Sequence, residues 1–171
     1  MALSMYQASV PAFVHALTAL DKIIDKAIAH CAAKKIDPQA LLQARLYPDM
    51  FPFVRQVFVA TDFGKSTPAR LAGVEAPKYP DEEKTFEELK ARIAKTIAYA
   101  NGFKPAQIDG SEEREITIPV GANTRSFKGQ AYLVGFALPN FYFHLTTAYA
   151  ILRHNGVEVG KRDFLMLPPA Q

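Results

Sequence analysis

The sequence predicts an all-α protein, an up-and-down four-helix bundle with a small β-hairpin before the last helix. Apolar residues recur at three- and four-residue steps over long segments, as they do on one face of an amphipathic helix. Over residues 115–120 the pattern changes to an alternation of period two, which is typical of a strand. The chain has 171 residues, which is the usual size of one domain. We therefore treat residues 1–171 as a single bundle domain.

The first helix is predicted from Val10 to Lys34, with Ser9 as its N-cap and Pro11 in its first turn. Asp37 and the proline after it end this helix, and a short helix is expected over Pro38–Arg45. One apolar stripe runs along the first helix and marks its inward face. The stripe consists of Val10, Phe13, Val14, Leu17, Leu20, Ile24, Ile28 and Cys31.

The second helix is predicted to begin at Asp49, with Pro52 tolerated in its first turn. Gly64 and Pro68 predict a weakened or kinked last part of this helix. Gly73–Pro80 is read as a linker because two prolines interrupt it.

The third helix starts after Thr85, which has capping-box spacing to Glu88, and stops at Asn101 and the glycine after it. The hairpin is expected to pair 115–120 with 125–127 across a turn at 121–124.

The last helix is predicted over Gln130–His154, with an interruption near Leu138 and Pro139. The tail from Val157 to Gln171 is expected to be extended and to lie over the bundle. Three long amphipathic helices and this fourth one suit antiparallel packing.

Composition excludes several classes of protein. The 20 basic and 17 acidic residues leave a net charge of +3, too weak to indicate nucleic acid or an anionic membrane as partner. No stretch approaches the roughly 20 apolar residues of a membrane-spanning helix, and no secretory signal is present. The single cysteine, Cys31, suits a reducing compartment, so we predict a cytoplasmic protein. Phosphate-binding, serine-hydrolase and zinc motifs are absent, and the sequence leaves open whether the protein is an enzyme.

His144 and Asn140 are the first candidates for a site. Both fall on the inward face of the last helix, one turn apart, so they predict a polar ligand pocket inside the bundle. The alternative is that the two side chains satisfy each other and a backbone carbonyl, because an unsatisfied buried polar group costs roughly 1–3 kcal/mol. The ligand itself is not specified by the sequence.

Charged residues on apolar faces are the second candidates. Asp21 lies within the stripe of the first helix, and Asp62 and Lys65 have the spacing of a pair along the second helix. Together with Asn140 and His144 they would form one internal polar cluster. The alternative is a set of separate ion pairs at the edges of the stripes.

The outer face of the last helix carries Tyr142, Tyr149 and Arg153. Aromatic side chains in a row are typical of a partner surface, so this face is a candidate for protein–protein contact. The alternative is that the hairpin or the tail covers them.

Several segments resemble the bacterial family called domain of unknown function 1993. They are Asn140–His144, Ala148–Tyr149, Ile151–Gly156, Gly160–Leu165 and, in the second helix, Gln56–Lys65. That family is related to the DinB/YfiT-like superfamily of metalloenzymes, so the resemblance implies a four-helix bundle and a homodimer. It also implies a divalent metal held by three histidines, one on the second helix and two spaced by four on the last. His144 matches the last of these, Asn140 stands in place of the other, and the second helix has no histidine.

Three functional hypotheses follow. The first is a bundle protein with a ligand pocket near His144 and Asn140. The second is a divergent metal-dependent enzyme, a thiol transferase or hydrolase, in which His144 is a ligand and Asp62 or Asp21 supplies charge. The third is a homodimeric interaction module that uses the tyrosine face of the last helix.

Overall fold

The computed structural model describes residues 3–121 and 123–168, and this part of the chain is mostly helical with one two-stranded antiparallel sheet. The long helices are α1 (Met5–Lys34), α3 (Phe53–Ala72), α4 (Phe86–Asn101) and α7 (Leu138–His154). The short helices are α2 (Pro38–Leu42), α5 (Pro105–Ile108), α6 (Gly129–Tyr132) and α8 (Lys161–Phe164). No helix in these ranges is both long enough and apolar enough to span a membrane.

Helix α1 begins earlier than the sequence predicted. Its N-cap is Ser4, whose side chain accepts from the Gln7 backbone while the Gln7 side chain accepts from the Ser4 backbone. Ser9, the predicted cap, is buried inside the helix and donates to the Met5 carbonyl at 2.6 Å. The prediction was wrong because it placed Pro11 in the first turn of the helix. The capping box of Ser4 and Gln7 instead starts the helix upstream, so Pro11 lies inside it.

Helix α3 begins later than predicted and is uninterrupted. Its N-cap is Pro52, so Asp49 lies outside the helix. The residue before a proline is driven toward extended backbone, which explains why the helix does not start upstream of Pro52. Helical structure continues through Gly64 and Pro68 to Ala72, where Gly73 ends it with a positive φ of 73°.

The boundaries of α4 and of the hairpin fit the predictions closely, whereas the short helix predicted over Pro38–Arg45 ends at Leu42. Thr85 and Glu88 form the capping box of α4. The hairpin pairs β1 (Glu115–Val120) with β2 (Asn123–Lys128), in register Val120↔Asn123, and of the predicted turn residues Ala122 lies outside the described ranges. Ile116 and Ile118 of β1 are buried, so the hairpin rests one face on the helices.

The predicted last helix consists of three pieces. Helix α6 leads into a π-helical turn over Leu133–Ala137, and α7 follows from Leu138. The predicted interruption therefore falls just before Pro139, where a π turn absorbs one extra residue.

The tail is not extended throughout. Val157 and Val159 are buried, and α8 then packs against α1, where Lys26 Nζ lies 2.6 Å from Asp163 Oδ1. The hydrogen bond from Lys26, which is also an ion pair, holds the pKa of Asp163 below its ordinary value. The end of the predicted tail, 169–171, lies outside the described residues.

Helix α3 has the central place in the packing. It contacts α7, α4 and α1, and α1 also contacts α4 and α7. Phe13 of α1 meets Phe141 of α7 edge-on with ring centroids 4.7 Å apart, and both side chains are fully buried. Burying one such side chain stabilises the fold by about 1.5–3 kcal/mol, so these aromatic contacts fix α7 against its neighbours.

Candidate functional site

His144 of α7 forms a polar contact with Gln56 of α3, and the two residues are 88 positions apart in the sequence. The imidazole Nδ1 lies 2.7 Å from Gln56 Oε1. Gln56 is buried, and its amide Nε2 donates to the Phe51 backbone carbonyl at 3.0 Å. Because a carbonyl oxygen only accepts, this second bond determines which end of the amide is nitrogen. The amide oxygen of Gln56 therefore faces His144.

This orientation assigns the tautomer of His144. An amide oxygen cannot donate, so the proton of the neutral ring resides on Nδ1 and the lone pair on Nε2. Within the described ranges Nε2 has no hydrogen-bond partner, and it is not sealed from solvent. Burial lowers the pKa of His144 from its ordinary value of 6.5, which favours the neutral ring at pH 7. His144 thus presents a free hydrogen-bond acceptor that solvent can reach.

Two aromatic rings flank this acceptor. The Phe51 ring is nearly parallel to the imidazole, with centroids 6.5 Å apart and an interplanar angle of 17°. The Phe143 ring stands perpendicular to it at 5.2 Å. Both phenylalanines are exposed, at 42% and 58%, so they are not part of the core. The guanidinium of Arg55 lies 4.4 Å from the Phe51 ring centroid, which brings one cation to the edge of the site.

Asn140 does not join His144. Its amide donates to the Phe136 carbonyl of its own helical segment at 2.7 Å. Both residues are half-buried at the edge of the inward face, whereas Phe141, Leu145 and Ala148 beside them form the core. The predicted inward face of the helix is right, but the two polar residues lie at its border and bind different partners.

The predicted single cluster of five polar residues is also wrong. Asp62 and Lys65 pair along α3, as their spacing predicted. Asp21 instead binds Lys90 of α4 at 2.8 Å, and Lys90 also binds Asp25 at 2.9 Å. Within 3–121 and 123–168, no hydrogen bond or ion pair links the Asp62–Lys65 pair to Asp21, and none links either of them to His144 or Asn140. The alternative of separate ion pairs therefore describes these charged residues.

Sequence reasoning missed Arg92, the most heavily hydrogen-bonded side chain near α3. Its side chain is 1% exposed, and its guanidinium lies 4.7 Å from the Phe58 ring centroid. All three guanidinium nitrogens are engaged, at distances of 2.8 to 3.3 Å. The acceptors are Thr61 Oγ1, the Pro80 carbonyl and the carboxylates of Asp62, Asp81 and Glu83.

A signal for Arg92 was present in the sequence. Arg92 follows Leu89 by three residues and precedes Thr96 by four, so all three share one face of α4, and the side chains of Leu89 and Thr96 are fully buried. A cation in such a position requires partners, and here the segment after α3 folds back to supply them. Because every donor is occupied, this cluster ties the 74–84 segment to the helices and leaves no donor for a ligand.

The tyrosine face of α7 is partly covered by the tail. Tyr149 packs edge-on against Phe164 with centroids 5.7 Å apart, and Arg153 donates to the Val159 carbonyl at 3.0 Å. Tyr142 is 38% exposed, and burial raises the pKa of its hydroxyl. Of the three predicted partner residues, two are therefore engaged by the chain itself.

The residues present do not fit a metal held by three histidines. Around His144 the neighbouring polar groups are neutral amides, and each already has a hydrogen-bond partner. Nowhere in the described part of the chain do three His, Cys, Asp or Glu side chains come together as a metal-binding group. One imidazole with amide neighbours is a weak donor set for zinc, which prefers several histidine, cysteine or carboxylate ligands.

Comparison with known proteins places this fold and site in context. The chain is similar to a DinB family member protein from Shewanella denitrificans, whose crystal structure superimposes with a TM-score of 0.89. The two are 42% identical, over 97% of this chain and 94% of that one. The fold is thus that of a mostly helical, hairpin-bearing protein of DinB-like type.

The chain belongs to the family described as domain of unknown function (DUF1993), which matches residues 5–165. The family resemblance in the sequence is thereby confirmed. No match was found among functionally curated proteins.

Proposed function

We propose that the protein is a metal-independent binding protein whose site consists of His144, Phe51 and Phe143. The observation that carries the proposal is the Nδ1 bond to Gln56, which leaves the Nε2 lone pair free on an imidazole that has two exposed rings beside it. A lone pair beside aromatic faces suits a planar, neutral ligand with one N–H or O–H donor. Asn140, one turn earlier on α7, is a flanking residue of this site.

Electrostatics support a neutral ligand. No carboxylate lies within ion-pair distance of His144 in the described residues, so nothing there compensates a cation. Arg55 beside Phe51 would repel a positively charged molecule. Because Nε2 of the neutral His144 ring carries no proton, it cannot donate a hydrogen bond to an anion.

Two probes that differ in a single donor test this function. We expect indole to shift the NMR signals of Phe51, Phe143 and His144 and to bind at least about five-fold more tightly than 1-methylindole, since a hydrogen bond contributes about 1 kcal/mol. Both molecules stack equally well, so the difference isolates the Nε2 acceptor.

His144→Phe retains a ring and removes the acceptor, and His154→Phe changes a histidine at the exposed end of the same helix. The first substitution should abolish the preference for indole, and the second should preserve it. Equal affinities of the two probes in the wild-type protein would contradict the proposal, as would a preference that persists in His144→Phe.

The alternative from the family resemblance is a divergent metal-dependent enzyme. What favours it is the free Nε2, because a ligating histidine commonly donates its other N–H to a carbonyl. Metal analysis of protein purified without a histidine tag distinguishes the two. A stoichiometric metal that is lost in His144→Ala would support the enzyme, whereas our proposal predicts none.

We further infer that the four long helices form an up-and-down bundle and that the protein is a cytoplasmic homodimer. The packing of α3 against α1, α4 and α7 supports the bundle. The exposed Tyr142 beside Phe143 is the part of the predicted partner surface that remains open. Mass in solution before and after Tyr142→Glu tests the dimer, because an unchanged mass would count against this face.

A further inference from the structure

Arg70, in the last turn of α3, is a half-buried cation without a carboxylate partner within 4 Å in the described ranges. Its Nη1 donates to Ser66 Oγ at 3.1 Å and to Tyr132 Oη at 2.8 Å. Both acceptors are neutral hydroxyls. The charge of Arg70 therefore has no direct ion pair, and it lies at the negative end of α3.

The contacts of Arg70 hold it in one orientation. Tyr132 is fully buried, its hydroxyl lies 3.5 Å from Thr67 Oγ1, and it immediately precedes the π-helical turn 133–137. π-Helical turns occur frequently at functional sites. Because Nη1 is anchored to a buried phenol, the guanidinium is preorganised.

The other edge of this guanidinium is open. Nε and Nη2 have no hydrogen-bond partner among residues 3–121 and 123–168, and they are not sealed from solvent. These two nitrogens carry the parallel N–H groups that bind a carboxylate with two hydrogen bonds. Arg92, whose three nitrogens are all bonded, shows how this chain saturates a guanidinium that serves only packing.

A cavity of ≈ 430 Å³ borders Arg70. Its charged side chains are the cations Lys65, Arg70 and Lys78 and the anions Asp62 and Glu75. Asp62 is already paired with Lys65 and Arg92, so Arg70, Lys78 and Glu75 remain, with a balance of one positive charge. Val74, Pro77 and Tyr79 add apolar surface to the same wall. The cavity therefore combines a positive balance, an oriented fork of donors and a surface for an apolar group.

We propose that Arg70 binds the carboxylate of a small organic acid in this cavity, with the apolar part of the acid against Val74, Pro77 and Tyr79. The site is separate from His144, because Gln56 and Arg70 are 14 positions apart on α3, or about 21 Å along a helix axis. Its test is thus independent of the binding function proposed above.

Benzoate is the probe for the full site, with acetate and inorganic phosphate at the same concentration and ionic strength as comparisons. In NMR titrations of the full chain we expect benzoate to shift the Nε–Hε signal of Arg70 and the amides of 74–79 saturably. Acetate should bind more weakly because it lacks the apolar group. Absence of a saturable shift at Arg70, or tighter binding of phosphate than of benzoate, would overturn the proposal.

Arg70→Gln removes the fork, and Arg55→Gln is the matched control on an exposed arginine of the same helix. Arg70→Gln should weaken benzoate binding about ten-fold or more, and Arg55→Gln should leave it unchanged. Arg70→Lys keeps the charge and the fold but not the fork, so it should lose most of the same affinity. Wild-type affinity in either Arg70 variant, or an equal loss in Arg55→Gln, would refute the assignment.

Discussion

The Arg92 cluster and the His144–Gln56 pair each fix a polar side chain against α3. They differ in how many of the hydrogen-bonding atoms of that side chain are occupied. Arg92 is buried, charged and saturated by three carboxylates, a carbonyl and a hydroxyl. His144 is half-buried and neutral, and one amide oxygen holds it while its Nε2 remains open. A polar group whose every donor is occupied stabilises the fold, whereas one with an oriented, unoccupied atom is available to a ligand.

The largest effect expected from this comparison is on stability at Arg92. Arg92→Met should lower the free energy of unfolding by about 2–4 kcal/mol, because it leaves Asp62, Asp81 and Glu83 beside one another without their shared cation. Because these carboxylates are partly exposed, the loss of unfolding free energy should be smaller than for the breaking of a fully buried ion pair. Urea denaturation monitored by circular dichroism measures it.

Lys95→Met is the control, since Lys95 is exposed and lies over the Tyr79 ring at 4.2 Å in the same region. Its loss should stay below about 1 kcal/mol. If both substitutions cost the same, Arg92 is not the residue that ties the 74–84 segment to the helices.

A smaller effect is expected at Gln56. Gln56→Met should cost about 1–2 kcal/mol, because the Phe51 carbonyl and the Nδ1–H of His144 both lose their partner in a partly buried place. Gln39→Met removes an exposed amide that donates to the Lys84 carbonyl at 2.7 Å, and should cost clearly less. Equal losses in urea denaturation would mean that the Gln56 bonds are as dispensable as a surface contact.

The sequence accounts for much of the fold but for little of the site. The apolar stripes of α1 and α4, the Thr85–Glu88 capping box and the hairpin alternation are local patterns, and local patterns are readable without a structure. The error at Ser9 arose because two capping signals compete within six residues. Arg92 and Gln56, in contrast, acquire their roles from partners distant in the chain, which no spacing rule identifies.

The smallest expected effect concerns pH. Burial lowers the folded-state pKa of His144, so the unfolded chain binds the proton first as pH falls through 6.5, and stability decreases in that direction. Comparing unfolding free energies at pH 7.5 and 5.5, we expect His144→Phe to reduce this decrease. An unaltered decrease in His144→Phe would show that this imidazole is not the group responsible.

The most direct test of the account is the tautomer of His144. Long-range ¹H–¹⁵N correlation at pH 7.5 reports separately on the two ring nitrogens. We expect a protonated Nδ1 and an unprotonated Nε2, as the Gln56 amide requires. A proton on Nε2, or a fully charged ring at that pH, would contradict the free acceptor on which the proposed binding site depends.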